Sequence, residues 1–233
     1  GFLTSYTYSK TLDYVSSLNL SGSAPRLVSG ENDVAQNPFD LGAEHGPSLF
    51  DARHRLSVSA IYELPRLESA HPATRTIFGG WQISGIALIS SATPFTVYDS
   101  SNVAMQGSHP EISGFSSGRP DLIGDPNAGP HTPDQWLSAS AFGRLDPVAN
   151  AGQFGSSGRN VARGPGYGSL DFGLSKLFKL GETTRLQFRA ETFNVANHAN
   201  FGLPVNDLNS PNFGTILESG PPRLMQFALK ILF

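Results

Sequence analysis

Cysteine is absent from all 233 residues, which removes both a disulfide framework and a thiolate metal site. Charge is scarce at 15%, and the net charge of -3 lacks the basic excess that a nucleic-acid partner requires. No apolar run approaches the roughly 20 residues of a membrane helix. The nearest, residues 77–89, is broken by Gly79, Gly80, Gln82, Ser84 and Gly85. Residue 1 is glycine and the sequence shows no signal peptide, so either processing removed the start or the chain is a fragment; its opening in mid-strand favours the fragment.

Catalytic signatures are missing as well. His45, His54, His71, His109, His131 and His198 are scattered, with no HExxH pair at ligand spacing, and no serine sits in a GxSxG elbow. Gly158-Arg159-Asn160 and Arg163-Gly164-Pro165-Gly166 invite a phosphate-loop reading. They lack the Lys and Ser/Thr of that motif, so a turn-rich loop re-entering a strand at Gly168 fits better. Glu31-Asn32-Asp33 and residues 206–212 offer oxygen ligands for calcium without EF-hand spacing, and Asn and Asp are commoner as turn residues. The chain is expected to be neither an enzyme nor a cofactor protein.

What the sequence does hold is glycine (25), proline (17) and alternation. At 222–233 (PRLMQFALKILF) the odd positions Met225, Phe227, Leu229, Ile231 and Phe233 are apolar, and Gln226, Ala228 and Lys230 fall between them. A period of two marks a strand with two unlike faces. Residues 1–10 form a strand rich in Thr, Tyr and Phe. In the strand ending at Pro65, Leu56, Val58, Ala60, Tyr62 and Leu64 oppose Arg55, Ser57, Ser59 and Glu63. Residues 77–90, 168–179 and 183–194 read the same way, the last with Leu186, Phe188, Ala190 and Thr192 against Arg185, Gln187, Arg189 and Glu191.

The connections alternate in length. Residues 11–50, 99–167 and 196–221 are long Gly/Pro/Asn/Ser-rich loops, while 66–76 and the turn Leu180-Gly181-Glu182 are short. Short turns on one side and long loops on the other are the habit of outer-membrane barrels. Residues 136–142 suit a brief helical turn, but 99–167 has too little periodicity to form a core of its own. Asp51 with Arg53, His54 and Arg55 reads either as ordinary strand-end polarity or as an ion-pair cluster at a rim.

Six pieces spanning most of the chain carry a family resemblance: NPFDLGAEHGPSLFDARHRLSVSAIYELP, GWQISGIALISSATPFTV, GRPDLIGDP, FGSSGRNVARGPGYGSLDFGLSKLF, LQFRAETFNVANHANFGLP and RLMQFALKILF. Together they resemble the C-terminal barrel portion of TonB-dependent outer-membrane receptors of the Oar-like type found in Acidobacteria. The resemblance implies an all-β antiparallel transmembrane β-barrel segment, about six strands of a barrel of about 22, with long extracellular loops. It makes residues 1–233 one part of a receptor whose plug and N-terminal domains lie upstream, with contact to the TonB system through that missing region. The implied function is uptake of an unknown ligand across the bacterial outer membrane, without catalysis.

On that reading Arg185, Gln187, Arg189, Glu191, Gln226 and Lys230 face the lumen, and Met225, Phe227, Leu229 and Ile231 face lipid. Phe233 resembles the terminal aromatic recognised by the barrel-assembly machinery. The rivals are a secreted β-sandwich serving as a binding or adhesion module, and a structural surface-layer fragment.

Overall fold

The computed structural model describes residues 1–16, 35–101 and 118–233. Six long strands form one antiparallel sheet: β1 (Phe2–Tyr8), β2 (His54–Glu63), β3 (Trp81–Ser90), β4 (Tyr167–Lys179), β5 (Arg185–Phe193) and β6 (Leu224–Leu232). Their spatial order is their chain order, so each strand hydrogen-bonds to its sequence neighbour in an up-and-down meander. Among the described residues, β1 and β6 each have one open edge.

Register carries the sequence alternation across the whole sheet. Tyr62, Ile83, Leu174, Ala190 and Phe227 stand opposite one another in one cross-strand row. Ile61, Ser84, Gly173, Glu191 and Gln226 form the next row. Side chains on adjacent rows point to opposite faces. One face is therefore apolar and aromatic from β1 to β6, and the other mixes serine, charge and amide with aliphatic groups. Slipping one strand by a single residue would mix the two sets, so the pattern itself specifies the register.

The ends of the sheet differ. At one end lie the short connections 64–80 and 180–184; at the other lie 9–53, 91–166 and 194–223. The 64–80 connection is more than a turn. It contains a helix, α1 (Pro72–Phe78), with the His71 side chain accepting from Ala73 N at its N-cap and Pro72 at the first position. The strand expected from residue 77 accordingly starts at Trp81, because 77 and 78 complete that helix. A Cβ on Gly79 would lie 2.4 Å from the Arg66 carbonyl oxygen, and Gly80 has φ +69, so the two glycines allow the helix to fold back onto the strand end.

Residues 99–167, expected to form no core of their own, contribute to one that is shared with 94–97 and 203–213. Phe95, Val97, Leu137, Ala141, Phe142, Ala162 and Leu208 form one buried cluster, with Leu122, Trp136, Val161, Leu203 and Phe213 packed against it. Apolar periodicity was the wrong signal, since this core is assembled from two-residue ladders and turns rather than from amphipathic elements. Pro94–Phe95 pairs with Ala162–Arg163, and Asp121–Leu122 pairs with Phe142–Gly143. The turn expected at 136–142 is a short 3-10 helix at Ala139–Ala141.

Candidate functional site

The site is built from the mixed face of the sheet and from the loop layer at its long-connection end. On the mixed face, β5 and β6 carry Arg185, Gln187, Arg189 and Glu191 against Leu232, Lys230, Ala228 and Gln226. All six candidate lumen residues share this face, and Met225, Phe227, Leu229 and Ile231 share the other. Glu191 joins part of the group: it accepts from Arg189 Nη2 at 2.6 Å and from Gln226 Nε2 at 2.5 Å. Phe233 follows β6 and is 99% exposed.

A hollow of about 410 Å³ crosses the middle of the sheet, reached by residues of β1 through β5 that include Ser59, Ser84, Asp171 and Glu191. Its lining on the mixed face includes the small residues Ser59, Ser84 and Gly173 and the larger Leu3, Ile61, Ile86 and Phe193. Asp171 is committed to structure, accepting from Asn194 N at 2.9 Å and Ser169 Oγ at 3.1 Å.

The loop layer is fastened by buried charge. Arg119 donates to both carboxylate oxygens of Glu44, at 2.9 and 2.8 Å, and each residue is only 4% exposed. Bidentate geometry satisfies both groups in a site from which water is excluded. Gln36 completes the unit. Its amide N–H donates to Glu44, its Oε1 accepts from Arg119 N, and its Nε2 donates to Gly155 O at 2.8 Å. Arg159 spreads further, donating to Glu44 O, Ser16 Oγ, Asp13 O and the Asp13 carboxylate. One guanidinium thus ties the 9–53 connection to the 91–166 connection at four points.

Asp51 is the second node, fully buried. It accepts from Thr11 N at 2.9 Å, Arg53 Nε at 3.0 Å and Arg163 Nη2 at 3.1 Å. Burial pushes its pKa up, but the Thr11 amide and the two guanidiniums outweigh this and hold the carboxyl below its usual value. Between the two sequence readings of residues 51–55, the ion-pair cluster exists at Asp51 and Arg53, while His54 turns instead to the Tyr6 hydroxyl at 2.9 Å. The third connection joins through Asn206, whose Nδ2 donates to Thr96 O at 2.7 Å, and through Trp136 N to Gly214 O at 2.8 Å. Burial pushes the Tyr98 phenol up to about 12, so it stays neutral beside this network.

Sequence reasoning found the sheet faces but missed Gln36, Glu44 and Arg119, and met Arg159 only within a rejected phosphate-loop reading. Their signal was present only as motif: Glu44 lies in NPFDLGAEHG, Arg119 in GRPDLIGDP, and Arg159 and Arg163 in FGSSGRNVARGPG. Of the calcium candidates, residues 31–33 lie outside the described residues, as does His109. In the other segment Asp207 accepts from Ser100 N and Asn209 N, so it shapes a turn. Among the described residues no group of three or more His, Asp or Glu side chains is arranged to hold a metal.

An antiparallel meander with one apolar and one mixed face, long connections gathered at one end, is the architecture expected of a barrel-type membrane protein. The family comparison agrees: a model described as "Outer membrane beta barrel domain" matches residues 1–226. The chain belongs to that family and is located in the bacterial outer membrane. Neither a curated protein nor a solved structure matches it.

Proposed function

We propose that this chain is the C-terminal barrel portion of a TonB-dependent receptor of the Oar-like type, which captures a ligand at the cell surface and passes it across the outer membrane without chemistry. The observation that carries the reading is the two-faced sheet capped at one end by a folded loop layer. Met225, Phe227, Leu229 and Ile231 face lipid. Arg185, Gln187, Arg189, Glu191, Gln226 and Lys230 face the lumen, where Glu191 is already paired with its neighbours. The long connections lie outside the cell.

Among the described residues the sheet has two open edges, and an open edge in a membrane leaves backbone groups unsatisfied. Further strands complete a barrel of about 22, the size class that holds a plug. The plug and the segment that meets the TonB system belong to the region upstream, and Phe233 is the contact for the barrel-assembly machinery. A sandwich-type adhesion module fits less well. It needs a second sheet over the apolar face, and the additional ladders among the described residues are only two residues long and lie in the connections.

The test compares solute depletion from the medium by cells with and without the gene for the full-length protein, each with and without a protonophore. Uptake predicts at least one solute whose depletion needs both the gene and the proton gradient. Unchanged depletion, accompanied by lost attachment of cells to surfaces, would replace the receptor with the adhesion module.

A further inference from the structure

We propose that α1 is a docking element for a glycerophospholipid leaflet, and that Lys176 is the residue that holds it in place. This rests on the reading that the apolar face of the sheet meets lipid. Among the Asp, Glu, Lys and Arg residues of the six strands, Lys176 is the one that stands on that face, in the same cross-strand row as Trp81, Phe188 and Leu229. An ammonium facing hydrocarbon is expensive unless it is paired. Here it is 6% exposed and donates to Ile77 O at 3.1 Å and Gly79 O at 2.5 Å. It also sits 5.3 Å from the centre of the Trp81 ring and 5.0 Å from that of Phe178. The Trp81 indole N–H donates to the same Ile77 carbonyl at 2.9 Å.

These contacts fix where the helix goes. Both donors lie on the apolar face, so the C-terminal end of α1 is pulled onto that face. The carbonyls a helix leaves unpaired at its C-terminus carry partial negative charge. Lys176 and Trp81 consume it, so that end of the helix turns no free carbonyl at Ile77 or Gly79 outward. A seven-residue helix is too short to hold itself together. None of its residues is buried, and Ile77 and Phe78 are 54% and 63% exposed.

The chemistry around the helix selects the occupant. Exposed aliphatic and aromatic groups, an indole with its N–H satisfied, and the exposed cations Arg66 and Arg75 occur together at the short-connection end of a membrane sheet. That combination matches the boundary where acyl chains meet phosphate: Ile77 and Phe78 enter the chains, and the guanidiniums reach the phosphate.

These 233 residues contain no cysteine, so single labels can be placed in the full-length protein once any cysteine outside them is replaced by serine. A bimane is attached at Phe78→Cys, and separately at Leu229→Cys, in phosphatidylcholine/phosphatidylglycerol vesicles. The vesicles carry spin-labelled lipids with the quencher either near the head group or deep in the chain. The expected result is strong quenching of Phe78→Cys by the shallow label and weak quenching by aqueous iodide. Leu229→Cys is quenched by the deep label. Lys176→Met raises iodide quenching at Phe78→Cys several-fold in protein that keeps its heat-modifiable gel mobility.

Free iodide quenching at Phe78→Cys, with Leu229→Cys still quenched by lipid, overturns the docking proposal and leaves the barrel. Loss of lipid quenching at Leu229→Cys overturns the lipid-facing reading itself. An unchanged iodide response in Lys176→Met removes Lys176 from the role assigned to it.

Discussion

Ten aliphatic or aromatic residues are buried among the described residues, and all ten lie in the connections; the six long strands contribute none. The strands instead leave Phe227 73% and Leu229 70% exposed. A soluble sheet in this state would have little to hold it together, because burial of one face against another layer is what stabilises a sheet. The contrast teaches that the two regions draw on different solvents. The loop layer excludes water with its own side chains and closes over its own ion pairs. The sheet pairs its backbone between neighbouring strands except at its two outer edges, and on the proposed reading its apolar surface meets the hydrocarbon of the outer membrane.

Four measurements break or sharpen that contrast. Arg119→Ala leaves the Glu44 carboxylate buried without its partner, which costs about 3–5 kcal/mol. The loss is expected in the loop layer alone: protease added to whole cells should cut within 118–166 much faster, while heat-modifiable gel mobility of the barrel is unchanged. If both regions fail together, they are one cooperative unit and the contrast collapses.

Leu229→Arg tests the other region. A cation placed at mid-bilayer depth costs about 2–4 kcal/mol and toward zero at the interface, so less assembled barrel is expected. Ala228→Arg, on the mixed face, should assemble nearly as well as the parent. Equal assembly of the two variants, by the same gel assay, would sink the assignment of faces.

Acid should act on the loops first. The Asp51 carboxyl is depressed in the folded state, so its contribution is present above the unfolded value of about 4 and is lost as pH falls through the lower folded value. The thermal midpoint of the loop layer should therefore be flat from neutrality down to about pH 4 and fall below that point. Asp51→Asn should have a lower midpoint at neutral pH and show a smaller acid step.

The smallest effect is expected at Arg189. Its pairing with Glu191 is half-exposed, and pairs of this kind are worth about 0–1 kcal/mol. Arg189→Ala should leave assembly and protease resistance within error of the parent. A large loss of assembly would mean that the pair is shielded in the complete barrel far more than its present exposure suggests.

The sheet was legible in the sequence because alternation is a local property: five residues of β6 suffice to show its two faces. Strand ends were less legible where local codes competed. Pro72, with the histidine before it, starts a helix, and Gly79-Gly80 ends it, which a count of apolar positions from 77 onward overlooks. The loop layer was not legible as a core. Its buried residues come from segments such as 94–97, 137–142, 162 and 205–208, none long enough to show a period. Lys176 was not singled out in the sequence, because its partners are carbonyls that no side-chain pattern reveals.

The reach of Arg159 has a kinetic meaning. Its bonds to Asp13 join residues 146 positions apart, and the Gln36–Gly155 bond spans 119. Closing so long a stretch of flexible chain is entropically costly, and contacts of this kind form late. Alignment of β1 through β4 shortens the effective span, because it brings the mouths of the first two long connections side by side. The loop layer therefore forms after the strands have registered. A chain with β3 and β4 mispaired would present Arg159 with no Asp13 or Glu44 to meet. On the proposed topology its unsealed loops would stay open to surface proteases, so an intact cap would report correct strand order.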